Sequence, residues 1–178
     1  MHRQLYLIIL TLCISYCSSY ADTTPIRVAC VGDSITYGAC VADREKNCYP
    51  AVLGGLMGEK YDVRNFGVSG ATLLKKGDHP WWNVDAFKNA TAFNPNVVVI
   101  KLGSNDTKPQ NWKFKDEFAP DYKDMIDQFK KLPSSPRIFI CRPAFVAKSL
   151  WHAAEKIRDE VSNGTLSRTA VPCAMAEA

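Results

Sequence analysis

Asn96-Val97-Val98-Val99-Ile100 is a nearly continuous β-branched run that leads through Lys101-Leu102 into the small, polar turn Gly103-Ser104-Asn105-Asp106. A run of this kind suits a strand of a parallel sheet covered on both faces, and a strand buried on both sides is expected here. Three shorter runs of β type lie outward from it: residues 26–31, residues 61–66, and Arg137-Ile138-Phe139-Ile140-Cys141. Helical patterns separate them over residues 49–60, 82–93 and 116–132. In the last of these, Tyr122, Met125, Ile126, Phe129 and Leu132 recur at helical spacing, and Pro120 falls in the first turn, where a missing N–H costs nothing. Strand and helix in alternation predict an α/β fold, a flavodoxin-like three-layer α/β/α arrangement with a mostly parallel sheet.

Ligands of such sheets bind at the carboxyl ends of the strands. Gly32-Asp33-Ser34-Ile35-Thr36-Tyr37-Gly38 follows the first run, Gly67-Val68-Ser69-Gly70-Ala71-Thr72 the second, and Gly103-Ser104-Asn105-Asp106 the third. Three small, polar loops therefore meet on one rim. Ser34 stands at a strand-to-helix turn, where a helix N-terminus favours developing negative charge. Acyl transfer needs a nucleophile, oxyanion donors and a base. The backbone N–H groups of Ser34 and Gly70 and the side-chain amide of Asn105 offer donors from three different loops. A phosphate or flavin binder of similar fold is the rival class, but it requires a first loop dominated by Ser/Thr and backbone donors and leaves the second and third loops without a purpose.

Taken in order, Gly32-Asp33-Ser34-Ile35-Thr36-Tyr37-Gly38, Asn65-Phe66-Gly67-Val68-Ser69-Gly70-Ala71-Thr72 and Gly103-Ser104-Asn105-Asp106 resemble the blocks of the SGNH (GDSL-like) hydrolases. The resemblance covers about residues 26–147. It implies that Ser34 is the nucleophile and that the Ser34 N–H, the Gly70 N–H and the Asn105 amide form the oxyanion hole, with no cofactor and no metal. The first block, with Tyr49-Pro50 opening the next helix, is similar to the sialate O-acetylesterase-like and carbohydrate acetylesterase-like branch, which implies a small-molecule or carbohydrate ester as substrate. The family's last block, Asp-x-x-His, has no match after Cys141. The expected fifth strand and final helix are absent from the pattern of residues 148–178, as a truncated, alternatively spliced or frame-shifted C-terminus would produce. Two functions are thus in play: a serine ester hydrolase impaired by the absent base, and a non-catalytic ester- or glycan-binding protein that keeps the pocket.

The remaining candidates have plainer readings. His79 is expected to be a surface or substrate-contacting loop residue and His152 a helix-surface residue, rather than bases. Asp33 and Asp106 are expected to hold their loops in shape, and Trp81 and Trp82 to pack a helix start against the sheet rather than stack on a sugar. Asn89-Ala90-Thr91 and Asn163-Gly164-Thr165 fit the glycosylation sequon.

At the other end, His2 and Arg3 precede an apolar run over residues 5–16 and the small-residue ending Ser19-Tyr20-Ala21. Residues 1–21 read as a secretory signal peptide, leaving residues 22–178 as a single secreted or periplasmic domain with no membrane partner after cleavage. Export makes disulfides available. Of seven cysteines, Cys13 and Cys17 fall in the leader, and Cys40 and Cys48, which flank the polar stretch 41–47, are the expected pair. Cys30 and Cys141 each end an apolar run and are expected to be buried. No Cys/His cluster has zinc spacing. A net charge of +4 with no dense Lys/Arg block excludes a nucleic-acid track.

Overall fold

A computed structural model describes residues 24–142. The readings of residues 1–21, His152, Asn163 and the 148–178 segment lie outside the described residues. Four strands form the sheet: β1 Ile26–Gly32, β2 Tyr61–Gly67, β3 Val97–Lys101 and β4 Arg137–Ile140. Their order is β2-β1-β3-β4 and every pair is parallel. This is the strand order of a flavodoxin-like sheet, and the chain changes direction of travel between β1 and β3. The crevice outside the ends of those two strands is where such folds bind ligands.

Register sorts the side chains into two faces. Ala29, Val98 and Ile138 lie in one row, and Val31, Phe66, Ile100 and Ile140 in the next. These join Trp81, Leu73, Leu74, Phe118, Tyr122, Met125 and Phe129 in the main core. Two helices supply the cover, α4 Asp85–Ala92 and α6 Phe118–Lys130; α1 Ser34–Tyr37, α2 Arg44–Asn47, α3 Tyr49–Met57 and α5 Pro109–Trp112 lie elsewhere along the chain. On α6, Phe118, Tyr122, Met125 and Phe129 are buried, a stripe at helical spacing, while Pro120 sits exposed in the first turn. Helix α3 lies on the opposite face, with the Cα of Gly54 placed so that a Cβ there is in ordinary contact with Val63.

The valine run of β3 is not buried on both faces, contrary to its sequence pattern. Val98 and Ile100 are buried, but Val97 and Val99 are only half-buried. The reason is position: α3 makes its sheet contacts on β2, at the far side of β1 from β3. Cys30 and Cys141 are buried as expected. The expected Cys40–Cys48 disulfide is absent, and both thiols are free. Cys40 is exposed in a left-handed conformation (φ 63°), whereas Cys48 is buried just before α3. There its Cβ side abuts Gly38, and Asn65 Nδ2 donates to its Sγ at 3.5 Å. The two cysteines are close in sequence but occupy an outer turn and an inner packing position. Among the described residues, no helix is long and apolar enough to cross a membrane.

Candidate active site

β1 ends at Gly32, and Asp33 caps the helix that follows: its Oδ1 accepts the Ile35 N–H at 2.9 Å. Ser34 is the first residue of α1 and half-buried, between the fully buried Asp33 and the exposed Ile35. The helix is one turn long and is held at both ends. At its far end, Asn65 Nδ2 donates to the carbonyls of Thr36 (2.8 Å) and Tyr37 (3.3 Å), while Asn65 Oδ1 accepts the Gly67 N–H at 2.8 Å. Beneath it, the Thr36 hydroxyl and the Tyr49 hydroxyl are 3.3 Å apart, and burial pushes the Tyr49 phenol well above its ordinary range. Gly67 lets the end of β2 touch this helix directly. A Cβ at Gly67 would stand 2.2 Å from the Tyr37 backbone nitrogen.

The second loop starts with a Val68 N–H donated to Gly32 O at 2.9 Å, which ties it to the end of β1. Gly70 has φ +82°, a conformation that other residues enter only with strain. Both Asp106 oxygens then hold the loop from the β3 side, Oδ2 accepting the Leu73 N–H at 3.0 Å and Oδ1 the Leu74 N–H at 2.7 Å. Burial lifts the Asp106 carboxyl to about 6 against the pull of those N–H groups, and the charge of Asp33 adds to the rise. The loop returns on itself: Thr72 N–H donates to His79 O and Trp81 N–H to Thr72 O, both at 2.9 Å. That pairing brings His79 back beside Gly70, where its Nδ1 is 3.5 Å from the position of a Cβ on that glycine.

The third loop crosses onto the second through Asn105, whose Nδ2 donates to Ala71 O at 3.0 Å. One amide hydrogen is thereby used next to Gly70, and the other remains for a ligand. Asn111, 1% exposed, locks the Asn105 backbone: its Nδ2 donates to Asn105 O at 2.8 Å and to Asp78 Oδ1 at 2.9 Å, and its Oδ1 accepts the Asp78 N–H at 2.8 Å. Burial raises the Asp33 carboxyl; the Ile35 N–H, the facing Ser104 hydroxyl and the Lys101 charge work in the opposite direction. Asp33 Oδ2 itself has no hydrogen-bond partner of good geometry among the described residues.

A serine at a helix start, a glycine N–H in a left-handed turn and a partly satisfied amide thus lie on loops bound to one another. Such an arrangement can bind an ester carbonyl and stabilise the oxyanion formed when it is attacked. Among the described residues, no group of His, Cys, Asp or Glu side chains converges to hold a metal ion. Residues 30–165 match the GDSL-like lipase/acylhydrolase family. The chain belongs to that family. It is 44% identical over 154 residues to an acetylxylan esterase of Xylanibacter ruminicola, an alignment covering 76% of this chain and 32% of that protein. The chain therefore spans about a third of the length of this curated relative. A carbohydrate acetylesterase family member from Sinorhizobium meliloti superposes with a TM-score of 0.59 at 20% identity, covering 77% of this chain and 78% of its own. The aryl esterase of M. smegmatis gives 0.57 at 19%, covering 77% and 76%. These likenesses place the α/β sheet in the SGNH hydrolase fold.

The other sequence candidates fall where their plainer readings put them. Trp81 is fully buried and Trp82 half-buried, each donating its indole N–H to a main-chain carbonyl, of Phe66 at 3.1 Å and of Leu73 at 2.6 Å. Asn89 is exposed on α4. His79 is exposed and belongs to the rim of the site. Sequence reading gave no role to Asn65, which opens the second block, and missed Asn111; only the fold brings Thr36, Tyr37 and Asp78, 28 to 33 positions away, into their reach.

Proposed function

We propose that this member of the GDSL-like family is a secreted serine ester hydrolase of the carbohydrate acetylesterase kind. Ser34 is the nucleophile, and the Ser34 N–H, Gly70 N–H and Asn105 Nδ2 receive the oxyanion. The observation that carries the reading is the bond from Asn105 Nδ2 to Ala71 O, which sets the amide of the third loop beside the glycine of the second. Support for a carbohydrate ester comes from the 44% identity to an acetylxylan esterase. A serine hydroxyl is a weak nucleophile until a base takes its proton. Within the 178 residues, Ser149 rather than Asp stands three positions before His152, so the paired base of the family is missing from that position. Without such a pair these 178 residues on their own turn over slowly, at roughly the 10³–10⁴-fold enhancement over water that serine hydrolases keep without a complete triad.

The test is acetate release by this chain and by a version whose residues after Ala147 are replaced with a family Asp-x-x-His segment. Nucleophile and base act as a unit, so Ser34→Ala changes the slow rate little but removes the gain conferred by the replacement. Asn105→Ala lowers both rates, by about a hundredfold or more in the faster protein. A Ser34→Ala protein that keeps the fast rate overturns the assignment. A second reading, a pocket that binds acetylated glycans without hydrolysing them, holds if the replacement brings no gain while the ester still binds.

A further inference from the structure

His79 is mounted more firmly than its exposure suggests. Its carbonyl accepts the Thr72 N–H, and the preceding Asp78 is gripped through its N–H and Oδ1 by Asn111 and through Oδ2 by Gln110 at 3.0 Å. Lys108 approaches the same carboxylate at 3.9 Å. Pro80 and the Trp81 N–H close the strap on Thr72. Gly77 permits the turn, since a Cβ there would meet the Thr72 hydroxyl at 2.3 Å. Every one of these contacts fixes backbone or neighbouring side chains. The imidazole makes no hydrogen bond or ion pair with the described residues, and its Nδ1 lies beside Gly70. A rigid mounting beneath an unengaged donor and acceptor is what a ligand contact requires.

Chemistry decides which part of a ligand it meets. With the ester carbonyl oxygen on the Gly70 N–H, the groups next to that glycine are the substituents on the carbonyl carbon. An acetyl methyl offers an imidazole no hydrogen bond. The alcohol side of a sugar ester does, through the hydroxyl adjacent to the esterified oxygen, and it extends toward solvent as the exposed His79 does. The geometry points to His79 as a substrate-binding residue that hydrogen-bonds a free hydroxyl of the alcohol portion and so selects polyhydroxylated esters over simple ones. This rests on the oxyanion assignment of Gly70 proposed above.

Binding to the intact chain carrying Ser34→Ala separates the two ideas without needing turnover. The probes are an O-acetylated xylo-oligosaccharide and phenyl acetate, which has no hydroxyl, with affinities read by NMR titration. Adding His79→Ala weakens the sugar ester about three- to tenfold, the scale of one net hydrogen bond, and leaves phenyl acetate unchanged. His79→Gln, which keeps a donor and an acceptor, restores most of the loss, and the melting temperature stays constant because the imidazole makes no hydrogen bond with the described residues. Equal sugar-ester affinity with and without His79 overturns the inference. So does equal weakening of both probes, which would mean that His79 acts by shaping the loop. If the Ser34→Ala chain binds neither probe, the ester pocket itself is refuted, a result distinct from a pocket that ignores His79.

Discussion

Asn111→Ala removes the residue that joins the third loop to the strap carrying His79. The structure gives it three hydrogen bonds, one from the Asp78 N–H, one to the Asp78 carboxylate and one to Asn105 O. At about 0.5–1.5 kcal/mol net per bond, the loss comes to roughly 2–4 kcal/mol, toward the lower end where water reaches the freed groups on the exposed Asp78. In a domain of this size that is a fall in Tm of roughly 5–15 °C. Asn111→Asp is the sharper probe, since it keeps an acceptor for the Asp78 N–H but sets a second carboxylate against the first. Burial works to raise the Asp78 carboxyl, yet the hydrogen bonds from Asn111 and Gln110 and the nearby Lys108 hold it below its usual value. The aspartate variant is therefore less stable than the alanine variant at pH 7, and the gap narrows below about pH 4 as the carboxylates protonate. Thermal melts at both pH values give the stabilities, and hydrogen exchange reports the Asp78 N–H directly, with protection lost in Asn111→Ala at neutral pH. A change in Tm under about 2 °C for Asn111→Ala, with the Asp78 amide still protected, would refute the clamp.

Three further outcomes follow from the same loops. Asp106 has a raised carboxyl, near 6 in the fold against about 3.9 when unfolded. Its contribution is fully present below about pH 4 and lost as pH rises through 6, up to about 3 kcal/mol. Denaturant melts from pH 4 to 7 should show this slope in the native chain and not in Asp106→Asn; parallel profiles would sink the assignment. Asp106→Asn is also less stable at low pH by about 1–3 kcal/mol, because an amide has one acceptor atom for two N–H groups. Gly67→Ala forces β2 away from the backbone of α1 and should cost about 3 kcal/mol or more, seen as a lowered Tm or insoluble protein. Gly70→Ala, whose nearest neighbour is His79 Nδ1 at 3.5 Å, costs only the left-handed strain of about 1–2 kcal/mol and should harm ester hydrolysis more than melting.

Strands β1 and β3 were legible because each is a largely apolar run leading into glycine and a small polar turn, β2 and β4 as shorter runs of β type, and helix α6 because its buried stripe repeats every three or four residues. The site's place was legible for the same reason: it follows from which loops close the strands. What failed depended on facts absent from any local pattern. Val97 and Val99 read as core, but their exposure is set by where α3 crosses the sheet. Cys40 and Cys48 have a spacing suited to a disulfide, but the short α2 between them leaves one thiol facing out and the other facing Asn65.

Asparagine and aspartate roles show the limit most clearly. Asp33 caps the residues next to it, so its structural part could be read in place, whereas Asp106 sits in a quoted block but holds N–H groups 32 and 33 positions away. Asn65 and Asn111 join segments that meet only after folding, and they settle the relative positions of the three loops. Asn65 holds α1 to β2, Asp106 holds the second loop to the third, and Asn111 holds the third loop to the His79 strap. The apolar core lies beneath all of these and packs strand against helix. It brings the loops to the same rim, but non-directional contacts do not fix a donor to within a fraction of an ångström. The polar ties do. The geometry of the candidate site is therefore more sensitive to these asparagine and aspartate residues than the fold is, and substitutions that leave the core intact can move Asn105 and Gly70 apart while the sheet survives.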